Sequence, residues 1–273
     1  MRDPFWEART SQYVQAIKLY EKIEPAYSAL EYLSKAATPG RYQNSGYPEF
    51  PFSKSGSGFR IKRNDRYFAI TSRHQVREYD PLNFILPSAC KEFSVSPDRI
   101  ILPSRDGRSL SSEDYLIYEY TNAVKSGLID ASRFYDVSEQ SSAAKIRAPN
   151  LLLGLGFADN INRVEYGRTT YFPQTNFLFG FPVLPKINEL LSFRLENPSP
   201  FEPRGMSGGP VFALFEKERF HDILPIGIIT NASKVIINYF PLPFILENIE
   251  RHKWWLPNRG PTDPLIVKNI GKF

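Results

Sequence analysis

Apolar residues recur at Val14, Ile17, Tyr20, Ile23, Leu30 and Leu33 among charged neighbours, a near-helical spacing that predicts a helical stretch from residue 7 to about 36. Pro25 should break or kink it. Residues 37–56 are rich in Gly, Pro, Ser and Asn and read as a linker. From Gly58 the period drops to two: Phe59 and Ile61 alternate with Arg60 and Lys62, and Arg63-Asn64-Asp65-Arg66 makes a turn. The return strand, Tyr67 to Thr71, delivers Ser72-Arg73-His74 at its end.

Further short apolar runs predict strands at Arg99–Leu102, Tyr115–Tyr120, Leu151–Leu153, Thr175–Phe181, Val211–Phe215, Ile226–Thr230 and Val235–Phe240. Pro241-Leu242-Pro243 then leads into Phe244 to Arg251, spaced as one short helix. Many short strands separated by turn signals indicate a mainly β fold, a barrel or sandwich. Composition strengthens this: 23 Pro, 21 Phe and 15 Tyr among 273 residues favour strands and rigid turns over long helices.

Charge changes the picture little. The net charge of +5 comes from basic residues interleaved with acids, so no nucleic-acid partner is expected. No run approaches the roughly 20 apolar residues that span a bilayer, and no membrane association is expected. The single cysteine, Cys90, excludes an intrachain disulfide and suggests a reducing, cytoplasmic setting.

The chemistry concentrates in Gly205-Met206-Ser207-Gly208-Gly209-Pro210. At average residue usage, Gly-x-Ser-Gly-Gly-Pro arises by chance at roughly one in a million positions. Its glycines permit a tight turn in which the Gly205 and Ser207 amides converge on a developing oxyanion, while Ser207 Oγ attacks the carbonyl held there. Such a hydroxyl requires a base. Of the three histidines, His74 follows an apolar strand, whereas His221 and His252 sit in charged segments and read as solvent-facing. An acid between His74 and Ser207 would fix the imidazole tautomer. Asp114 is the leading candidate, with Asp106 and Glu113 as rivals; Asp98 has the setting of a turn residue.

These landmarks, with Gly56-Ser57-Gly58-Phe59, Ile70-Thr71-Ser72-Arg73-His74 and the Ser207 motif in that order, make residues 55 to 240 resemble the trypsin-like serine peptidases. The resemblance implies a chymotrypsin-like double β-barrel, with halves at about 51–140 and 145–240. Residues 1–50 would be a helical extension and linker, and 241–273 a short helix and tail. It implies a triad of His74, Asp114 and Ser207, an oxyanion hole at Gly205 and Ser207, and no metal or cofactor. Phe201 would floor the primary specificity pocket and favour apolar or small side chains. The strand Gly227, Ile228, Ile229, Thr230 would pair with substrate by strand addition. Met206 stands where secreted members carry the acid that binds a new amino terminus, so maturation by that route is not expected. The expected function is hydrolysis of peptide bonds in protein or peptide substrates through an acyl-enzyme, under control of a regulatory protein partner. The alternative is a catalytically silent module that binds extended peptides or scaffolds a complex.

Overall fold

The structure, a computed structural model, describes residues 14–43, 52–76, 81–90, 93–101, 103, 114–138, 149–162, 173–185, 190–251 and the backbone of 266–268. The chain begins with a hairpin of β1 (Ala16–Leu19) and β2 (Lys22–Pro25), then helix α1 (Ala26–Ala36) and strand β3 (Ala37–Gln43). Next come β4 (Phe52–Arg63), β5 (Arg66–Thr71), β6 (Leu86–Pro87), β7 (Phe93–Val95), β8 (Arg99–Ile101), β9 (Leu116–Glu119), the short helix α2 (Thr121–Lys125) and β10 (Tyr135–Asp136). The second half holds β11 (Leu151–Gly156), β12 (Asn176–Val183), β13 (Leu191–Leu195), β14 (Pro210–Glu216), β15 (His221–Ala232), β16 (Ile236–Pro241), helix α3 (Leu242–Arg251) and β17 (Ile266–Lys268). The fold is mainly β, as the hydrophobic pattern predicts.

The N-terminal region departs from the helix expected over residues 7–36. Residues 7–13 lie outside the described residues, and 16–25 form the β1–β2 hairpin. Ile17 and Leu19 are buried on one side of β1, while Tyr20 and Ile23, counted as helix-face positions, are about half exposed. Parallel pairing of β1 with β15, Ile17 opposite His221, overrides the local spacing. The helical period holds only from Ala26, where Ala26, Ala29, Leu30, Leu33 and Ala36 are buried. Pro25 precedes this helix at the N-cap rather than kinking it, a position where its missing N–H costs nothing.

The described parts of the expected linker, 37–43 and 52–56, are strand, while 44–51 lie outside the described residues. Residues 37–43 pair antiparallel with β4, from Ala37 opposite Phe59 to Gln43 opposite Phe52. Gly40 reflects close strand crossing at the bulge in this ladder, since a Cβ there would lie 2.1 Å from the Ser55 carbonyl oxygen. The turn at Asn64-Asp65 forms as expected, with both residues at positive φ, the geometry that matches the strand twist of a hairpin.

The two halves close differently. In the second, β11, β12, β13, β16, β15 and β14 pair in a ring, and the β14–β15 ladder closes a six-stranded antiparallel barrel. In the first, β10, β4, β5, β9 and β8 run side by side, with β3 sharing the β10 edge of β4. Among the described residues no ladder closes the half expected as a barrel over about 51–140. A small sheet of β6, β7 and β17 flanks it.

One core joins the halves. Leu151, Leu153 and Leu155 of β11 face Phe59, Ile61 and Ile70 in a shared cluster, whereas Leu152 turns into the barrel with Val211, Phe193 and Ile237. Burial on both faces explains why β11 reads as an unbroken apolar run. Helix α3 closes the shared core with Leu242, Ile245, Leu246 and Ile249, the single stripe its sequence predicts. Arg63 of β4 bridges the first half to this helix, donating to Glu250 and, at 2.8 Å, to the Val137 carbonyl.

Candidate active site

Strand β5 ends at Thr71, and the next residues turn tightly through a 3-10 segment, Arg73–Val76, that carries His74. Asp114 lies just before β9, the strand paired with β5, so the sheet register brings it to His74. The His74 amide donates to Asp114 Oδ1 at 2.8 Å, and His74 Nδ1 lies 2.5 Å from Oδ2. Ser72 Oγ donates to the same Oδ2 at 2.7 Å. A carboxylate held this way keeps the proton on Nδ1 and leaves Nε2 as the basic nitrogen. The rival acids Asp106 and Glu113 lie outside the described residues, as does His252.

Ser207 sits on the turn into β14. Gly205 and Gly208 adopt φ of +92° and +88°, which side chains rarely allow, so the glycines of the motif are required by the backbone itself. At Gly208 a Cβ would lie 2.1 Å from the Ser57 carbonyl oxygen, because the two halves meet there. Ser57 is the joint: its amide donates to the Ser207 carbonyl at 2.7 Å, and its hydroxyl donates to the Gly205 carbonyl at 2.7 Å and accepts from the Phe157 amide at 2.8 Å. Among the described residues, neither the Gly205 nor the Ser207 amide donates to a backbone carbonyl, whereas Met206, Gly208 and Gly209 all do.

A buried ion pair supports the same turn. Lys54, with a side chain only 4% exposed, donates to Asp159 Oδ1 at 2.5 Å and to the Phe157 carbonyl at 2.7 Å. Burial pulls the Lys54 ammonium below its usual range, and Asp159 opposes that shift. Asp159 in turn donates its amide to the Arg204 carbonyl, fixing the entry to the motif.

No hydrogen bond joins His74 Nε2 to Ser207 Oγ. Ser207 Oγ, on a residue 8% exposed, donates instead to the Thr230 carbonyl at 3.1 Å. His74 Nε2 meets the side-chain amide nitrogen of Gln75 at 2.6 Å, and Gln75 Oε1 accepts from Ser55 Oγ at 2.9 Å. Gly56 leaves room for this arrangement, since a Cβ there would lie 2.7 Å from Gln75 Cγ and 3.1 Å from the Ser207 carbonyl oxygen. His74 Nε2 and Ser207 Oγ are thus each satisfied by a local partner, Gln75 and the Thr230 carbonyl.

Of the other expected residues, Gly227, Ile228 and Ile229 cannot take a substrate strand. Gly227 and Ile228 pair with β14 on one edge and β16 on the other, and Ile229 donates to Gly209 while facing Tyr239. Thr230 is different: it occupies a bulge in the β15–β16 ladder, beyond the end of the β14 pairing, and its carbonyl reaches Ser207. Phe201 packs half-buried against the barrel core that contains Met206. His221, read as solvent-facing, starts β15 with Nδ1 buried and unpartnered among the described residues, and burial holds its imidazole below the usual range. Gln75, Lys54 and Asp159 carry no signal in the sequence, and Ser57 and Ser72 stand there only as members of the Gly56–Phe59 and Ile70–His74 landmarks, with no role of their own; Ser72, two residues before the histidine, has the local signal of a short side-chain turn.

Among the described residues no three His, Cys, Asp or Glu side chains gather as a metal site, and no helix is long and apolar enough to cross a membrane. No protein-family model matches the chain, and no curated protein matches it significantly.

Proposed function

We propose that this chain is a serine endopeptidase of the chymotrypsin-like double-barrel type, working in a reducing compartment, with His74, Asp114 and Ser207 as its triad. The observation that supports the reading is the Asp114–His74 pair, with both carboxylate oxygens engaged, together with a glycine-framed Ser207 turn in which, among the described residues, the Gly205 and Ser207 amides donate to no backbone carbonyl. In the reaction, Ser207 Oγ bonds to the scissile carbonyl carbon as its proton passes to His74 Nε2. The oxyanion takes the Gly205 and Ser207 N–H groups, and the C–N bond breaks as His74 returns the proton to the leaving amine. Water then attacks the acyl-enzyme by the same path, releasing the acid and restoring Ser207. Two movements must come first: the Gln75 amide leaves Nε2, and the Ser207 hydroxyl leaves the Thr230 carbonyl. A substrate or a regulatory protein that displaces Gln75 would supply both.

Gln75 on Nε2 also favours a second reading, a silent module in which the crevice only binds extended peptide. A fluorophosphonate probe separates them, because it bonds covalently only to an activated serine. The native chain, or Gln75→Ala if the native crevice stays closed, should be labelled at Ser207 and lose labelling on Ser207→Ala or His74→Ala. Labelling of neither chain, with peptide binding intact in Ser207→Ala, would establish the silent module instead.

A further inference from the structure

Lys54 of β4 is a buried cation that the proposed reaction does not use, and its ammonium reaches the turn that carries Ser207. It donates to Asp159 Oδ1 at 2.5 Å and to the Phe157 carbonyl at 2.7 Å. Both acceptors border Gly205: a Cβ placed on that glycine would lie 2.2 Å from Asp159 Oδ1 and 2.9 Å from the Phe157 carbonyl oxygen. The Asp159 amide donates at 2.8 Å to the Arg204 carbonyl, which belongs to the same peptide as the Gly205 N–H. In a trans peptide the N–H points opposite to the C=O, so this bond turns the Gly205 N–H away from Asp159. The Ser207 N–H is set in the same way, through the Met206 carbonyl, which accepts from the Gly209 amide at 3.0 Å. That second bond is internal to the motif, whereas the first depends on a segment outside it.

That segment, residues 157–159, follows β11 and is held from both halves. Ser57 Oγ accepts from the Phe157 amide at 2.8 Å, and the Ala158 amide donates to Asn176 Oδ1 at 2.9 Å. Neither bond occupies the Phe157 carbonyl or the Asp159 carboxylate; Lys54 engages both. Arg204 Nε lies 3.8 Å from Asp159 Oδ2 with its side chain 86% exposed, too open to substitute. Without Lys54 the Phe157 oxygen, on a buried residue, would lose this donor beside Gly205, and a buried carbonyl without a donor draws a nearby N–H. The Gly205 N–H is at hand, since it donates to no backbone carbonyl among the described residues. Turning over the Arg204–Gly205 peptide would satisfy the oxygen and withdraw the donor from the Ser207 site. We infer that Lys54 is a positioning residue: by occupying the Phe157 carbonyl and the Asp159 carboxylate it keeps the Arg204–Gly205 peptide oriented and its N–H free for an oxyanion. The oxyanion role rests on the proposed reaction, whereas the orientation of the peptide does not.

The test takes two measurements on the full native chain, Lys54→Met and Lys54→Arg. The first is hydrogen exchange at the Asp159 amide by NMR, which loses its acceptor if the Arg204–Gly205 peptide turns over and so reads orientation without any activity. Exchange there should be about tenfold faster in Lys54→Met, the loss of one net hydrogen bond, with the Ala158 amide on Asn176 unchanged. The second is the rate of fluorophosphonate labelling of Ser207 at saturating probe, in a Gln75→Ala background if the native chain is not labelled. It should fall about 100-fold in Lys54→Met, the scale of losing one oxyanion donor, and recover to within about tenfold of native in Lys54→Arg, which keeps a cation and its donors. A merely structural role would lower the fraction labelled and leave the rate of the folded fraction unchanged. Unchanged exchange at Asp159 in Lys54→Met, or a native labelling rate, overturns the inference. If neither the native chain nor Gln75→Ala is labelled, the peptidase reading fails, and exchange at Asp159 alone decides whether Lys54 holds the peptide.

Discussion

The proposed nucleophile and its proposed base are built on scaffolds of different kinds. Ser207 enters β14 of a closed barrel in which every strand has two neighbours. His74 and Asp114 lie at the ends of β5 and β9, in a sheet that, among the described residues, ends at β8 on one side and at β3 and β10 on the other. Closure leaves the barrel few alternatives, and its part of the site shows this: two glycines at positive φ, a bulge at Thr230 and a buried Lys54–Asp159 pair hold one turn. On the open sheet, order at the site comes from side chains, chiefly the three hydrogen bonds that converge on the Asp114 carboxylate. One half presets backbone, the other presets a hydrogen-bond network, and Ser57 and Lys54 of β4 couple them.

Breaking the side-chain network should have the largest effect. Asp114→Asn cannot hold the proton on His74 Nδ1 in the same way, and the fluorophosphonate labelling rate of Ser207 should fall by about 10⁴, the scale of losing the correct tautomer in such triads. A rate within tenfold of the native one would remove Asp114 from the mechanism. Next comes the backbone side. Asp159→Ala strands the Lys54 ammonium in the interior and should cost about 3 kcal/mol in urea unfolding. Lys54→Met leaves Asp159, whose side chain is 39% exposed, able to reach water, and should cost less. Equal costs would mean that the pair contributes packing rather than charge compensation.

The same contrast decides what was legible in the sequence. Barrel strands are set by local apolar runs, and the Ser207 turn by glycines that the backbone geometry demands, so both could be read directly. His74 was legible from its place after an apolar strand, and Asp114 only as one of several acids, because its choice depends on the β5–β9 register. The β1–β2 hairpin was not legible: its apolar spacing fits a helix, and pairing with β15, some 200 residues away, decides otherwise. Gly40 and its neighbours read as a linker because the same residue types serve a loop and a close strand crossing. Lys54, Asp159 and Gln75 acquire their roles through contacts across the two halves or across β4 and β5, for which no local pattern exists.

Gln75 sharpens the comparison at the point where the halves should meet. Its amide satisfies His74 Nε2, so under the proposed mechanism removing it should free that nitrogen for Ser207. Gln75→Ala should raise the labelling rate about two- to tenfold, the equivalent of one net hydrogen bond. A fall in rate would instead make Gln75 a residue that positions His74.

The smallest effect tests the open edge itself. Asp98 precedes β8, the terminal strand, where burial raises its carboxyl to about 6, opposed by a hydrogen bond from the Asn122 amide and reinforced by Glu119. A carboxyl raised on folding gives stability that is fully present below its unfolded value near 3.8 and is lost as pH climbs through about 6. Asp98→Asn keeps an acceptor for Asn122 without the charge, so it should be more stable than the native chain at pH 7.5. The gain should be about 0.5 kcal/mol, small because solvent screens a half-exposed group, and should vanish by about pH 4. Urea unfolding at the two pH values reads the difference. A loss of stability at pH 7.5 would mean that the ionised carboxylate helps to hold the β8 edge, and that the open sheet, like the barrel, is anchored at its margin by charge.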